Sequence, residues 1–214
     1  QRKHQLRTLD YSRYKWIWEG AYYENSDALI FKDKFISQEF KPLPTWQGAY
    51  IGLDFGFSND PTAAVKCWVA DGNLYIEHEA GKIGLELDAT NEHLKRYIPD
   101  IEKYVIRADN ARPESISYLK RHGLPRITAC KKGKGSVEDG IEFIKSFNKV
   151  IIHPRCVNTL NEFSSYSYKI DKLSGDILPV IIDENNHWID ALRYALEPIM
   201  KNKGGFGIVE QSMF

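Results

Sequence analysis

Carboxylates stand at two positions where a charged side chain has chemical consequences. Asp54 ends the apolar run from Ala49 to Leu53, and Asp109 follows a second apolar run that ends at Ala108. If the two strands are parallel neighbours, both carboxylates project from the same edge of a sheet. Two such charges about 4 Å apart repel each other by roughly 4 kcal/mol at an effective dielectric constant of 20. The pair therefore needs a proton or a bridging divalent cation, and oxygen ligands favour Mg²⁺ or Mn²⁺.

The last predicted helix offers a third carboxylate, Asp190. His187 lies three residues earlier, so the two side chains share one helix face. Asp183, after the preceding predicted strand, is a reserve metal ligand. Three carboxylates with few competing Cys or His ligands favour two-metal phosphoryl transfer, in which one ion activates water and the other stabilises the leaving oxygen. We predict that the catalytic residues are Asp54, Asp109, His187 and Asp190, with the three aspartates as metal ligands.

Each of these side chains also has a purely structural interpretation. Asp54 could cap the turn that follows it, and Asp109 could form an Asx turn before Pro113. Asp190 could be a solvated helix residue, and His187 could face water at a helix start. The metal-site interpretation therefore rests on the residues as a set.

The order of the predicted elements indicates a mixed α/β sheet flanked by helices. Strands at residues 50–55, 62–68 and 74–80 form an antiparallel meander, with Asp71-Gly72-Asn73 as the second turn. Crossovers through helices then add parallel strands. The remaining strands are predicted at residues 104–108, 126–130, 150–152, 166–170 and 177–181. Helices are predicted at residues 85–97, 114–122, 137–147, 157–165 and 186–200.

Composition bounds the class of protein. The chain has 214 residues, with 29 Lys and Arg against 29 Asp and Glu, so no global charge attracts a polyanion. Its three cysteines are widely spaced, which argues against a zinc knuckle or a disulfide framework. No apolar run reaches the roughly 18 residues of a membrane span, so we expect no membrane association. The chain begins with Gln1, and we expect a fragment of a longer cytoplasmic polypeptide.

Local basic residues indicate where nucleic acid would bind. A stretch rich in Lys, Arg and Gly follows the strand at residues 126–130, and flexible lysines there could follow a phosphate backbone. The hairpin at residues 166–181 is either an addition at the edge of the fold without a binding role or a border of the active site. For the basic stretch, a solvated loop remains the alternative. The predicted DNA-binding residues are Arg126, Lys131, Lys132, Lys134 and Lys172.

Three motifs together resemble the C-terminal nuclease domain of tailed-phage terminase large subunits, members of the ribonuclease H-like superfamily. The first is IGLDFG, residues 51–56, with DPTA at 60–63. The second is Ala108-Asp109 before a helix that begins with proline. The third and most specific is NHWIDALRYA, residues 186–195. The resemblance covers about residues 50–196.

The resemblance implies a function and a set of partners. It implies an endonuclease that binds two Mg²⁺ or Mn²⁺ ions and cuts concatemeric double-stranded viral DNA during genome packaging. It also implies a terminase small subunit, a portal or procapsid, and an N-terminal ATPase domain in the same parent chain. On this basis residues 1–48 are an extension from the ATPase region, residues 49–200 the nuclease domain and residues 201–214 a flexible tail. Host cytoplasm, transiently at the portal, is the expected location.

Three rival functions remain open. An actin- or hexokinase-like ATPase would need a second Asp-x-Gly hairpin, which the sequence lacks. A resolvase or transposase uses similar acids on different DNA. A docking module without catalysis would not need all three aspartates.

Overall fold

A computed structural model describes residues 26–56, 59–131 and 135–204. The strands are β1 (Phe35–Ser37), β2 (Gln47–Asp54), β3 (Pro61–Ala70), β4 (Asn73–Ile83), β5 (Ile106–Ala108), β6 (Ile127–Ala129), β7 (Val150–Ile152), β8 (Tyr168–Ile170) and β9 (Ile177–Ile181). The helices are α1 (Leu87–Tyr97), α2 (Pro113–Arg121), α3 (Ser136–Lys145), α4 (Val157–Ser165) and α5 (His187–Gly204). No helix in this part of the chain is both long enough and apolar enough to cross a membrane.

The described residues form two compact units. One contains Lys34–Glu162 together with the chain from Asn186 onward, and the other contains the described residues up to Asp33 together with Phe163–Asn185. The larger unit holds a seven-stranded sheet in the order β1-β7-β4-β3-β2-β5-β6. Strands β2, β3 and β4 form the antiparallel meander, and the other neighbours pair in parallel. The mixed sheet predicted from the sequence is therefore confirmed.

The turn between β3 and β4 follows from its residue types. Ala70 pairs with Asn73, which leaves a two-residue loop of Asp71 and Gly72. Both loop residues have positive φ, as a type I′ turn requires, and Asp and Gly tolerate that conformation. The chemistry of these two residues therefore sets the register of the hairpin.

Alternation along β2 directs its side chains to two different environments. Ile51 and Leu53 join a buried apolar cluster with residues of β5, α1 and α2, including Ile106 and Leu119. Residues two apart in a strand face the same side, so Gly52 and Asp54 face the opposite side of the sheet. The acid that interrupts the apolar pattern of β2 therefore does not enter this cluster.

The smaller unit contains the predicted hairpin, β8 paired with β9. Phe31 is fully buried there, and its ring stacks on that of Phe163 at a centroid distance of 4.4 Å. The Ile30 N–H donates to the Tyr166 carbonyl oxygen (2.9 Å). The segment before β1 therefore packs within this unit.

One strand was not predicted from the sequence, and several element ends differ from the prediction by up to four residues. Strand β1 lies inside the segment predicted as irregular, and it pairs in parallel with β7. Helix α5 continues to Gly204, four residues into the predicted tail. The domain boundaries at residues 48 and 200 stay predictions, and residues 1–25 and 205–214 lie outside the described part of the chain.

Candidate functional site

Asp54 and Asp109 lie at the ends of two neighbouring parallel strands. Leu53 of β2 pairs with Ala108 of β5, and the Asp109 N–H donates to the Leu53 carbonyl oxygen (3.0 Å). Asp54 is the last residue of β2 and is 9% exposed. Because parallel strands end at the same edge of a sheet, both aspartates lie at the C-terminal edge of β2 and β5.

The Asp109 carboxylate also organises the turn after β5. Its Oδ1 accepts the Ala111 N–H (2.9 Å), which is the Asx turn considered as the structural alternative. The turn leads into α2, which begins at Pro113 with proline in its first turn. The structural and chemical interpretations of Asp109 are therefore compatible, since the turn limits the orientation of the carboxylate.

Helix α5 brings Asp190 over the same sheet because β2 carries a glycine at the crossing point. A Cβ atom built on Gly52 would lie 1.7 Å from the Ala191 carbonyl oxygen and 2.7 Å from the Ala195 nitrogen. The helix backbone therefore lies directly against β2, two residues before Asp54. Asp190 is in the first turn of α5, next to this contact, and its N–H donates to the Asn186 carbonyl oxygen (2.7 Å).

His187 connects the start of α5 to Asp54. Its Nδ1 lies 3.3 Å from Asp54 Oδ2, and its Nε2 lies 3.7 Å from Asp60 Oδ1. The hydrogen bond to Asp54 raises the pKa of His187, and the charges of Asp54, Glu162 and Asp60 act in the same direction, whereas burial opposes them. The imidazole is thus biased toward its protonated form beside the carboxylates.

A buried acid, Glu162, holds the first turn of α5. Its Oε2 accepts the Ile189 N–H (2.9 Å), and the residue is 5% exposed. Burial raises the pKa of Glu162 to about 8, although hydrogen bonds from the backbone of Ile189, Trp188 and His187, and the charge of His187, favour the ionised form. The acid satisfies N–H groups that a helix start leaves without intrahelical partners.

Arg193 is the partner of Asp190 on the same helix. Its guanidinium donates to Asp190 Oδ1 from Nη1 and to the Ser136 carbonyl oxygen from Nη2 (3.1 Å). Arg193 is buried, and a Cβ atom on Gly140 of α3 would lie 2.8 Å from its Nε. The guanidinium therefore fixes the Asp190 carboxylate relative to the start of α3.

Tyr194 is influenced by all three aspartates at once. Burial, followed by the negative charges of Asp190, Asp54 and Asp109, raises the pKa of the Tyr194 phenol. All three carboxylates are therefore within electrostatic range of one buried phenol. A divalent cation bound among them would offset their mutual repulsion.

The donor set of this region fits a hard divalent cation. Its acidic side chains supply only oxygen ligands, which Mg²⁺ and Mn²⁺ prefer. In the present side-chain arrangement, no three His, Cys, Asp or Glu residues across 26–56, 59–131 and 135–204 form a group that could hold a metal ion. His187, the Ala111 N–H and Arg193 each engage one carboxylate oxygen of the set. Metal binding would require the carboxylates to move closer together.

The predicted DNA-binding residues fall in different places. Lys131 is exposed and follows Cys130, whose N–H donates to the Ala108 carbonyl oxygen, so it shares the sheet edge of Asp109. Arg126 precedes β6 and therefore lies at the N-terminal end of that strand, away from the aspartates. Lys132 and Lys134 lie outside the described residues.

The remaining predicted DNA-binding residue, Lys172, and the reserve metal ligand, Asp183, belong to the smaller unit. Lys172 is exposed in the turn of the β8 and β9 hairpin, where Asp171 Oδ1 accepts the N–H groups of Leu173 and Ser174. Asp183, the reserve ligand, is exposed and follows β9. Its role as a ligand stays a prediction.

Comparison with known families identifies the domain. A family model described as a terminase RNase H-like domain matches residues 54–198, more than half of the chain. The chain belongs to this terminase family. The match begins at Asp54, includes Asp109 and Asp190, and ends at residue 198 within α5.

Two curated terminase large subunits are similar in sequence. The large subunit of Bacillus phage SPP1 is 38% identical over 162 residues, which is 73% of this chain and 37% of that protein. The PBSX phage large subunit of Bacillus subtilis is 32% identical over 148 residues, 68% of this chain and 33% of that protein. The chain therefore spans about a third of the length of these terminase proteins.

Solved terminase structures share the fold. The nuclease domain of the SPP1 large terminase, with bound Mn, is 31% identical and has a TM-score of 0.69, covering 78% of this chain and 97% of that one. The large terminase nuclease of phage G20c with bound magnesium has a TM-score of 0.53 at 16% identity, covering 76% of this chain and 90% of that one. The ribonuclease H-like fold and the terminase resemblance predicted from the sequence are both confirmed.

The sequence prediction missed two contributors to this terminase site. Arg193 lies three residues after Asp190, a spacing at which a salt bridge across one helix turn could have been expected. Glu162 gave a weaker signal. It lies between the buried residues Thr159 and Phe163 on α4, so its own face of that helix is buried. Its contact with the start of α5 joins residues 27 positions apart.

We expect the stability contribution of Glu162 to fall as pH rises. Its folded-state pKa of about 8 lies above the ordinary value of 4.5, so folding favours the protonated form. The stabilisation by the neutral acid is complete below about pH 4.5 and is lost as pH rises through about 8. Denaturant unfolding at several pH values should show wild type losing about 1 to 4 kcal/mol relative to Glu162→Gln across this window.

The matched control is Glu138→Gln, at an exposed position of α3. Its difference from wild type should change little over the same pH range. A constant difference between wild type and Glu162→Gln from pH 5 to 8.5 would contradict the raised pKa.

Proposed function

We propose that this domain is a metal-dependent endonuclease that cuts double-stranded DNA. The observation that carries the proposal is the register of β2 and β5, which sets Asp54 and Asp109 at one sheet edge, below the helix that carries Asp190. The similar SPP1 nuclease domain with bound Mn supports both the reaction class and the need for a divalent ion. In the parent protein the substrate is concatemeric viral DNA at genome packaging.

Asp54, Asp109 and Asp190 hold the catalytic ions in this proposal. Two Mg²⁺ or Mn²⁺ ions bound there supply an activated water and charge stabilisation for phosphodiester hydrolysis. The neighbouring residues prepare the ligands. Arg193 orients Asp190, and the turn at Ala111 orients Asp109.

His187 has a proton-handling role in this proposal. A protonated Nδ1 donates to Asp54 Oδ2 and so holds the carboxylate in place. The hydrogen bond to Asp54 raises the pKa of the imidazole and so favours its protonated form. The imidazole is placed to orient Asp54 and to exchange a proton with solvent near the scissile bond.

The remaining partners are also proposals. Lys131 lies at the same sheet edge as Asp109, which supports a phosphate contact for the segment that includes Lys132 and Lys134. The part of this chain that matches the terminase relatives is only about a third of their length, which supports an ATPase domain before it in the parent protein, in line with the boundary proposed near residue 48. A small subunit and a portal or procapsid complete the proposed assembly in the host cytoplasm.

Plasmid cleavage tests the function directly. Supercoiled plasmid incubated with the chain should be nicked and linearised in Mn²⁺ or Mg²⁺, remain intact in EDTA, and be cut again when metal is restored. With two ions, the rate should rise with nearly the second power of metal concentration at low occupancy. Cleavage in EDTA would refute the metal dependence, and a first-power dependence would refute the two-ion form.

A further inference from the structure

A cavity lies on the face of the sheet that α5 covers, toward the N-terminal ends of the parallel strands β2, β5 and β6. It has a volume of about 330 Å³ and is bordered by the start of β2, the start of β5 and the residue before β6, with Pro198 of α5 at its wall. Asp54 and Asp109 lie at the C-terminal ends of β2 and β5. The cavity therefore lies apart from the candidate metal ligands, and none of them lines it.

The charged groups that line this cavity are all cationic. They are Lys103, Arg107 and Arg126, and the lining contains no Asp or Glu. Arg126 Nη1 donates to the Lys103 carbonyl oxygen (2.9 Å), which holds its guanidinium at the rim. Lys103 pairs with Asp100, but both side chains are more than half exposed, so this pair contributes little and exchanges readily. The electrostatic character of the cavity favours an anion.

Arg107 is the strongest single indication of a ligand. It pairs with Gly52 in the β-sheet register, so it lies on the face of the sheet that α5 covers. Its Nε is buried and has no hydrogen-bond partner among the described residues. A buried donor without an acceptor is costly and uncommon in folded proteins, and the residue that carries it lines the cavity.

The rest of the wall is aromatic and apolar. Tyr50 and Pro198 line the cavity, whereas the Tyr104 ring packs edge-on against Trp68 with the Lys66 ammonium above it, on the side of the sheet that holds Ile51 and Leu53. A tyrosine ring such as that of Tyr50 stacks on flat heteroaromatic groups. A volume of about 330 Å³ is at the small end of ligand pockets, which suits one nucleotide.

We propose that this cavity binds a nucleoside 5′-phosphate. The phosphate contacts Arg107, Arg126 and Lys103, since arginine forks match phosphate oxygens, and the base lies against Tyr50. A free nucleotide and the 5′-terminal nucleotide of a DNA strand share this chemistry.

Equilibrium binding in EDTA tests the site without any contribution from metal-dependent cleavage. Calorimetry on the 214-residue chain would compare dAMP with deoxyadenosine, and a 5′-phosphorylated hexanucleotide with its 5′-hydroxyl form. Arg107→Gln and Arg126→Gln are each expected to weaken phosphate-dependent binding by about tenfold or more. Arg96→Gln, at an exposed position of α1, should bind as wild type does. Thermal unfolding verifies the fold of every variant. If Arg107→Gln does not fold, binding by Arg126→Gln decides the test.

The outcomes separate the two sources of ligand. Tight dAMP binding that depends on the arginines supports a free nucleotide. Arginine-dependent preference for the 5′-phosphorylated strand, without dAMP binding, supports a DNA end. The proposal is overturned if no probe binds, if deoxyadenosine binds as well as dAMP, or if both arginine variants bind as wild type does.

Discussion

Asp54→Asn is expected to abolish DNA cleavage while leaving the fold intact. Asparagine has nearly the shape of aspartate, but it lacks the charge and one of the oxygens that a divalent cation would bind. Losing a central carboxylate of such a site should lower the cleavage rate by about a thousandfold or more. Asp109→Asn and Asp190→Asn should have effects of the same kind. Plasmid cleavage in Mn²⁺ with matched thermal unfolding curves is the measurement.

A second readout links this variant to the geometry. The hydrogen bond to Asp54 is the main cause of the raised pKa of His187, so Asp54→Asn should lower that pKa toward its ordinary value. NMR titration of the imidazole would measure the change. Asp88→Asn, at an exposed position of α1, is the matched control and should alter neither cleavage nor the titration. Undiminished cleavage by all three site variants would refute the assignment.

Gly52→Ala should lower the cleavage rate by about a hundredfold without changing a proposed ligand. The added methyl group would lie 1.7 Å from the Ala191 carbonyl oxygen, so α5 must move away from β2. Asp190 and His187 would move with the helix, and a displacement of about 1 Å can cost a hundredfold in rate. Overpacking of this kind typically also destabilises a fold by about 1 to 3 kcal/mol. Cleavage rate and denaturant midpoint should therefore fall together.

Gly84→Ala separates displacement from backbone strain. Gly84 has a φ of +63°, and no atom lies within 4 Å of the position that an added methyl group would take, so alanine there meets only the cost of the left-handed conformation. This control should lose about 1 kcal/mol of stability and keep its cleavage rate. Wild-type cleavage by Gly52→Ala would show that the close approach of α5 to β2 is not required.

The parts of the fold that were predictable depend on local residue chemistry. The positive φ values at Asp71 and Gly72 follow from residue type, so the meander register could be anticipated. The helix at Pro113 follows from the preference of proline for a first turn. The crossover rule predicts that β5 is parallel to the strand before it, whereas its place beside β2, which sets Asp54 and Asp109 at one edge, was implied only by the terminase resemblance.

The parts that were missed depend on contacts between distant residues. Strand β1 has three residues, and it forms because β7 presents an edge to it more than a hundred positions later. The sequence around Glu162 does not indicate its hydrogen bond with the Ile189 N–H. The unpaired Nε of Arg107 depends on the packing of α5 over β5, which no spacing in the sequence encodes.

The hydrogen bond from the Ile189 N–H to Glu162 has a consequence for how such proteins diverge. Residues Phe163–Asn185 belong to the smaller unit and interrupt the larger one. The bond joins Glu162, just before this inserted segment, to Ile189, shortly after it. The entropic free energy of closing a loop rises by only about 0.6 kcal/mol for each doubling of the loop length. Evolution can therefore lengthen, shorten or exchange the intervening residues while the start of α5 keeps its anchor. This position is where we expect related proteins to differ most in length.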